Sequence, residues 1–316
     1  MKFAFILDPL EHLKAYKDSS VAMMREAQAR GHEVFALTRP SLAWRGRLVQ
    51  ATATPLELRD DHEDWFVAGP AFDTVLDAFD AVLMRQDPPF DMEYVAATWL
   101  LERAAAAGVR VINHPRAIRD HSEKLSILEF PDLIPMTLVA REPEIVHSFI
   151  DDMQDAVLKP IDGMGGAQVF RVRRDDPNRY VIVETLLQHG HRTIMAQRYL
   201  PEIAQGDKRI LLIGGAVAPY CLARVPKPGE SRGNLAAGGT GVVQPLSARD
   251  REIAETLAPV LHRRGILLAG IDVIGDRLTE INVTSPTCFV EITAGSGFNV
   301  AGMFLDALER CVRGEE

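Results

Sequence analysis

With 316 residues, 47% of them hydrophobic and 25% charged, the chain has the composition of a soluble globular protein and the length for two or three lobes with their own cores. A formal net charge of −9 argues against a nucleic-acid partner, although a local basic pocket can still hold a phosphate. Cys221, Cys288 and Cys311 are too few and too scattered for a disulfide framework or a zinc site.

Residues 2–7 read as a short buried strand ended by Asp8-Pro9. The run is too short for a signal peptide, and no later stretch reaches membrane-spanning length, so a cytoplasmic protein with no membrane partner is expected. Ala22 to Arg30 read as an amphipathic helix closed by Gly31, and Glu33 to Leu37 as the next strand. A strand at Ala81 to Met84, a helix at Glu93 to Ala107 and a strand at Val109 to Ile112 continue the alternation. That order predicts a parallel sheet with helices on its faces, binding ligands beyond the carboxyl ends of its strands. Two polar groups fall there. Asp18-Ser19-Ser20 is either a helix N-cap or part of a site. Arg85, at a strand end with prolines behind it, is either a carboxylate clamp or the partner of Asp87 or Asp91 in a structural ion pair.

Residues 113–121 read as a linker broken at His114-Pro115, and Ser122-Glu123-Lys124-Leu125 opens a helix. A strand from Ala156 to Lys159 leads into Asp162-Gly163-Met164-Gly165-Gly166. No Gly-Lys-Ser/Thr follows, so this is not a Walker loop, and it is not Gly-x-Gly-x-x-Gly. The strand behind it, Gln168 to Val172, predicts a glycine loop inside a hairpin, where backbone amides can approach phosphate oxygens. Lys159 strengthens that reading, because a lysine in an apolar strand needs an anionic partner. Thr193 to Leu200 is the next strand, and Asp207 to Gly214 with Ala216 to Arg224 form a pair that sets Arg209 and Arg224 in apolar surroundings. Residues 226–241 are long and glycine-rich, the mark of a functional lid or a disordered segment. Residues 247–264 and 299–312 read as helices. The histidines show no metal-ligand spacing, no Gly-x-Ser-x-Gly elbow is present, and Cys221 lies mid-strand, which argues against nucleophilic catalysis.

The stretch around which the rest is organised is 269–286, a β-hairpin turning at Gly275 and Asp276. Alternation puts Ile271 and Val273 on one face of the first strand and Asp272 on the other; Ile281 and Val283 share a face of the second, with Glu280 and Asn282 opposite. A two-residue loop sets Asp272 against Thr279. A three-residue loop sets it across from Glu280 and keeps the four aliphatics together, so burial favours that register. Two carboxylates and an amide on one rigid surface suit Mg²⁺, whose shell is completed by phosphate oxygens and water. The competing reading is a solvated face on an edge hairpin.

Lys124, Lys159 with its glycine loop, Asp207-Lys208-Arg209, the run Arg232 to Gly239 and the Asp272/Glu280/Asn282 group resemble the ATP-grasp superfamily of carboxylate–amine ligases. Within it the chain is similar to the bacterial glutathione synthetases, through Met84-Arg85 to Asp91, Leu158 to Gly166, Arg232 to Gly239 and Asp276 to Thr287, in order and over almost the whole chain. The resemblance implies an α/β fold, with an N-terminal parallel α/β domain over 1–121 and an ATP-grasp domain over 122–316. Two α+β lobes, about 122–200 and 201–316, would hold ATP between them under a mobile lid at 226–241. It implies an ATP-dependent ligase joining γ-glutamylcysteine and glycine into glutathione through an acyl phosphate. The cofactors would be ATP and two Mg²⁺ ions, with Mn²⁺ as a substitute, and the assembly a homo-oligomer.

The same resemblance distributes the work. Lys124, Lys159 and the loop glycines Gly163, Gly165 and Gly166 would meet the phosphates. Gln197, Tyr199 and Leu200 would hold the adenine edge, and Asp207 the ribose. Asp272, Glu280 and Asn282 would ligate metal, and Arg209 and Arg224 would stabilise the reacting oxyanions. Arg85, Asn234 and Ser285 would hold substrate carboxylates. Gln86, Ser122, Thr240 and Val290 depart from the family pattern and bear on substrate selectivity and the lid's charge. The alternatives are a related ligase for another carboxylate and amine, a phosphotransferase on the same scaffold, and a non-catalytic ATP-binding protein. The last would have lost a metal ligand or a phosphate lysine, and none is missing.

Overall fold

The first apolar runs pair in parallel, as their alternation with helices requires. The computed structural model describes every residue except Met164, Ser231, Asn234, Ala236, Ala237 and Glu316. Its N-terminal part comprises β1 (Lys2–Leu7), α1 (Ser19–Ala29), β2 (Glu33–Thr38), β3 (Ala43–Arg45), β4 (Leu48–Leu58), β5 (Phe66–Ala68), β6 (Phe72–Val75), β7 (Ala81–Met84), α2 (Met92–Ala106), β8 (Val111–Ile112) and α3 (Pro115–Asp120). The sheet runs β3-β4-β2-β1-β7-β8, with β5 and β6 both pairing with β4. β2, β1, β7 and β8 are parallel, while β4 adds antiparallel to β2. Residues 43–75, unassigned from the sequence, therefore extend the parallel core as an antiparallel apron.

Two differences from the sequence reading have a plain local cause. α1 begins at Ser19 rather than Ala22, because the Asp18 carboxylate accepts from the amides of Ser20 and Val21 at 2.7 and 2.9 Å. The expected linker at 113–121 contains α3. Pro115 starts that helix instead of breaking it, since the first helical position needs no N–H donor.

The middle of the chain comprises β9 (Thr137–Ala140), α4 (Pro143–Met153), β10 (Asp155–Pro160), β11 (Phe170–Arg173), α5 (Arg179–Leu187) and β12 (Ile194–Arg198). Its sheet is ordered β11-β10-β12-β9 and is antiparallel throughout. Val146 and Ile150 of α4 and Val183 and Leu187 of α5 pack on Leu158, Val172 and Ile194. The β10–β11 pairing confirms a glycine loop inside a hairpin. Ahead of this sheet, the helix expected from residue 122 is a short 3₁₀ stretch, Leu125–Glu129.

The last part comprises β13 (Asp207–Ile213), β14 (Ala216–Val225), β15 (Thr240–Pro245), α6 (Ala248–Arg263), β16 (Leu268–Ile274), β17 (Arg277–Asn282), α7 (Phe289–Ser296) and α8 (Val300–Arg313). The sheet order is β15-β14-β13-β16-β17. One face packs on α6, where Ile210, Leu212, Ile271, Val273 and Ile281 meet Ile253, Leu257 and Leu261. The other packs on α8, where Leu211, Ile213 and Leu268 meet Phe304, Leu305 and Leu308 in a core that continues into α1. Arg209 on β13 and Asp272 on β16 alternate onto this second face, beyond the reach of α8.

The β16–β17 hairpin keeps the expected pairing by another route. The turn has two residues, since Ile274 pairs with Arg277 and Val273 with Leu278. Gly275 adopts φ +58, as a two-residue hairpin turn demands. The register then shifts between Val273 and Asp272, and Asp272 pairs with Glu280. The unpaired Thr279 is a bulge, and its hydroxyl donates to the Asp272 carbonyl at 3.1 Å. The three-residue loop expected from the sequence is thus a two-residue turn plus one bulged residue.

Candidate active site

A cleft with about 880 Å³ of empty space, open to solvent on one side, is lined by β10, the end of β12 and the residues following it, and the polar end of the β13–β16–β17 face. It gathers Lys124, Lys159, Gly163, Gly165, Gly166, Gln197, Tyr199, Leu200, Asp207, Asp272 and Glu280.

Two lysines meet one carboxylate. Lys159 lies 3.3 Å and Lys124 3.7 Å from the Glu280 Oε1. Lys124 also donates to the Gly163 carbonyl, and Lys159 to that of Thr279 at 3.4 Å. Burial alone would push the Glu280 carboxyl up; Lys124 and Lys159 outweigh it and hold the group below its ordinary value. Both ammonium groups are buried, at 7% side-chain exposure, and would need another anion if Glu280 turned away.

Beside them sits a second charge cluster. Asp272 accepts from the Arg209 Nε and Nη2 at 2.5 and 3.0 Å, and lies 3.0 Å from the Arg224 Nη2. Burial opposes ionisation, but Arg209 and Arg224 together keep the Asp272 carboxyl well below the usual range. Asp207 pairs with Arg224 through one oxygen, and its Oδ1 is buried without a partner. Burial raises this carboxyl to about 6, against the pull of Arg224. The Asn282 amide nitrogen donates to the Gly270 carbonyl at 3.1 Å and to the Asp272 Oδ2 at 3.3 Å. Arg209, Arg224 and Asn282 thus reach the cleft through Asp272.

The far end is less polar, with Val157, Val169, Ile203 and Ile274 joining Tyr199 and Leu200 as walls. The Gln197 side chain is fixed by donating to the Thr137 hydroxyl at 3.0 Å. Arg171 stacks on the Tyr199 ring at 3.6 Å. On the glycine loop, Gly165 and Gly166 adopt φ +61 and +79, and a Cβ on Gly163 would stand 2.8 Å from the Pro160 Cγ. Arg232, passed over as a site residue in the sequence reading, also lines the cleft and donates to the Gly166 carbonyl at 3.3 Å. The signal available was its place as a lone arginine in the glycine-rich run.

Arg85 and Ser285 lie outside this lining. Arg85 donates to the Ser20 hydroxyl at 3.0 Å and the Pro286 carbonyl at 2.9 Å, while Ser285 donates to the Arg85 carbonyl at 3.1 Å. Among the described residues no ion pair joins Arg85 to Asp87 or Asp91. Its Nη1 is buried without a partner, a donor left for an incoming acceptor. Asn234 lies outside the described residues. Of the four departures, Gln86 donates to Asp8 at 3.1 Å and keeps a buried, unpartnered Oε1. Ser122 accepts from the Leu125 amide at 3.4 Å, Thr240 opens β15, and Val290 lies in α7.

Comparison with known proteins points the same way as the geometry. Residues 1–119 match the family model for the prokaryotic glutathione synthetase N-terminal domain, and 123–297 that for the prokaryotic glutathione synthetase ATP-grasp domain. The chain is 57% identical over 310 residues to a glutathione synthetase of Ralstonia nicotianae, covering 98% of this chain and 96% of the relative. It is also 57% identical over 314 residues to one of Nitrosomonas europaea, with 98% of each covered. Among solved structures, D-cycloserine synthetase DcsG superposes with a TM-score of 0.68 at 15% identity over 99% of this chain and 100% of that one. The ATP-grasp ligase PsnB with a minimal precursor gives 0.64 at 18% identity over 97% of each. These two likenesses speak for the fold alone.

Proposed function

The chain belongs to the prokaryotic glutathione synthetase family, and from that premise we propose how its residues share the reaction. The protein is an ATP-dependent ligase that joins γ-glutamylcysteine to glycine, giving glutathione, ADP and phosphate. A carboxylate is a poor acyl donor at neutral pH. Transfer of the γ-phosphoryl group to the cysteinyl carboxylate makes an acyl phosphate. The glycine amine then attacks its carbonyl carbon, the C–O bond to phosphate breaks, and the amine loses a proton.

The single observation that carries the assignment is Glu280 held between Lys124 and Lys159 beside Asp272 held between Arg209 and Arg224, in one cleft. Such a centre handles shifting negative charge, the main demand of phosphoryl transfer. Lys124 and Lys159 take the α- and β-phosphates, exchanging Glu280 for phosphate oxygens. Amides of the Gly163–Gly166 loop close over them. Gln197, Tyr199 and Leu200 orient the adenine, and Asp207 has an unpartnered oxygen for the ribose. Arg209 and Arg224 are five-donor forks, so each can hold Asp272 and meet the oxyanion of the acyl transfer as well. Arg85, with Ser285 and Asn234, holds substrate carboxylates.

The donor chemistry of Asp272, Glu280 and Asn282 fits Mg²⁺: two carboxylates kept ionised and an amide beside them, all oxygen donors. Among the described residues no group of three or more His, Cys, Asp or Glu side chains could hold a metal ion, so the reading rests on two carboxylates and one amide. One or two such ions, or Mn²⁺ in their place, would neutralise phosphate charge there.

The chain is read as a domain over 1–121 and an ATP-grasp domain over 122–316, with 226–241 as lid. A cytoplasmic homo-oligomer is the proposed setting. Among the described residues no helix is long and apolar enough to cross a membrane. The test is phosphate release from ATP and Mg²⁺ with γ-glutamylcysteine and glycine each present or omitted, the product identified by mass. Turnover that needs both and yields glutathione is expected. ATP turnover with neither, or none with the pair in a protein that binds ATP, would move the substrate assignment.

A further inference from the structure

β17 is the edge strand of its sheet, so its outward amides need acceptors from elsewhere. One residue supplies several. The Glu123 carbonyl accepts from the Ile281 amide at 2.9 Å. Its Oε1 accepts from the amides of Val283 and Thr284 at 3.0 and 3.1 Å and from the Thr284 hydroxyl at 2.8 Å. Backbone and side chain of Glu123 therefore grip the strand that carries Glu280 and Asn282 at two heights. The next residue is Lys124, whose ammonium stands 3.7 Å from Glu280.

We propose that Glu123 is a positioning residue, which sets where the Lys124 ammonium stands relative to Glu280 and the phosphate-binding end of the cleft. The other flank of the segment is fixed too. His121 bonds the Ala117 carbonyl through Nδ1 at 2.7 Å, and its Nε2 lies 2.9 Å from the Arg264 Nη1. Between these anchors the backbone at 122–124 has little freedom, and a lysine side chain, otherwise the most adaptable of cations, is delivered to one place. Glu123 does this through the reach and direction of one carboxylate oxygen. All three donors to Oε1 are neutral groups, so an amide oxygen at the same reach can also accept from them, though in weaker bonds than the carboxylate makes.

This inference rests on reading Lys124 as a phosphate ligand, and the experiment separates the two. In Glu123→Asp the acceptor is one methylene shorter, so holding the strand drags Lys124 away. The expected result is a KM for ATP raised about tenfold with little loss of Tm. Glu123→Gln keeps Oε1 and should restore the KM to within about threefold of the parent. On a Lys124→Ala background, Glu123→Asp should add nothing further. Lys124, 6% exposed, should also become more reactive to an amine-labelling reagent in Glu123→Asp, read by mass spectrometry on the ligand-free protein. Unchanged labelling of Lys124 in Glu123→Asp overturns the proposal. So does a folded Glu123→Gln as impaired as Glu123→Asp. If labelling rises while Lys124→Ala leaves the KM for ATP unaltered, the positioning role stands and the phosphate role of Lys124 falls.

Discussion

Asp272 and Glu280 stand directly opposite one another on adjacent antiparallel strands, and each is kept ionised by its own pair of cations. Like charges placed so would otherwise repel. The arrangement lets two anions coexist on one surface while their counter-charges come from four different parts of the chain. Removing Glu280 should therefore have two separable effects. Glu280→Gln leaves Lys124 and Lys159 without their anion, so metal-free ATP should bind at least as tightly as to the parent. Mg²⁺-dependent turnover should fall by about 10²-fold or more. Calorimetry with and without Mg²⁺, beside steady-state rates, reads both, and near-normal turnover would reject Glu280 as a metal ligand.

The position of Arg209 depends on a neighbour with no side chain. A Cβ on Gly270 would stand 2.8 Å from the Arg209 Cδ and 3.2 Å from its Nε. Gly270→Ala should push the guanidinium off Asp272 without touching substrate. We expect kcat to drop about 10–10²-fold, with KM for ATP little altered and a stability cost of about 1–3 kcal/mol for overpacking. An unchanged kcat would show that the guanidinium's place is not critical.

Much of this site was legible because two periodicities coincide in it. The 269–286 hairpin alternates Ile271, Asp272, Val273 against Glu280, Ile281, Asn282, so burying the aliphatics forces the carboxylates together, whatever the loop. The bulge at Thr279 was not legible, since turn length and register give the same pairing by two routes. Residues 43–75 were missed because much of β4's buried face is small, at Ala51 and Ala53. α3 was missed because Pro115 starts a helix as readily as it breaks one. The four-membered set of Asp207, Arg209, Arg224 and Asp272 depends on β13, β14 and β16 lying side by side, a long-range fact no local pattern carries. From the sequence Glu123 reads only as part of a helix start, and its proposed role comes from an edge strand 160 positions away.

The glycine-rich segment at 226–241 should protect the acyl phosphate from water. Its Arg232 donates to the Gly166 carbonyl, so the segment bridges to the glycine loop that follows β10. Shortening the tip should raise phosphate release per glutathione formed, because water then reaches the intermediate before the amine. Arg232→Ala should shift the ratio the same way by less. Measuring both products in one reaction is sufficient, and an unchanged ratio in the shortened variant would reject the lid role.

Acid sensitivity should enter through Glu309. On α8, it accepts from Arg30 at 3.2 Å and lies 3.0 Å from the His32 Nε2, tying the last helix to the turn between α1 and β2. Burial would raise this carboxyl, but His32 and Arg30 prevail and hold it below the ordinary value of 4.5. A carboxyl depressed in the folded state binds fewer protons there than in the unfolded chain. Its stabilisation is therefore complete above the unfolded value and lost as pH falls through the folded one. Glu309→Gln should lower Tm at neutral pH and flatten the decline on acidification, so that the two curves converge once pH has fallen below the depressed folded-state value. Parallel curves across that range would show that this carboxylate does not contribute to the acid limb. The catalytic rate at neutral pH should be unaffected well below Tm, because Glu309 bonds to the turn between α1 and β2 and does not line the cleft.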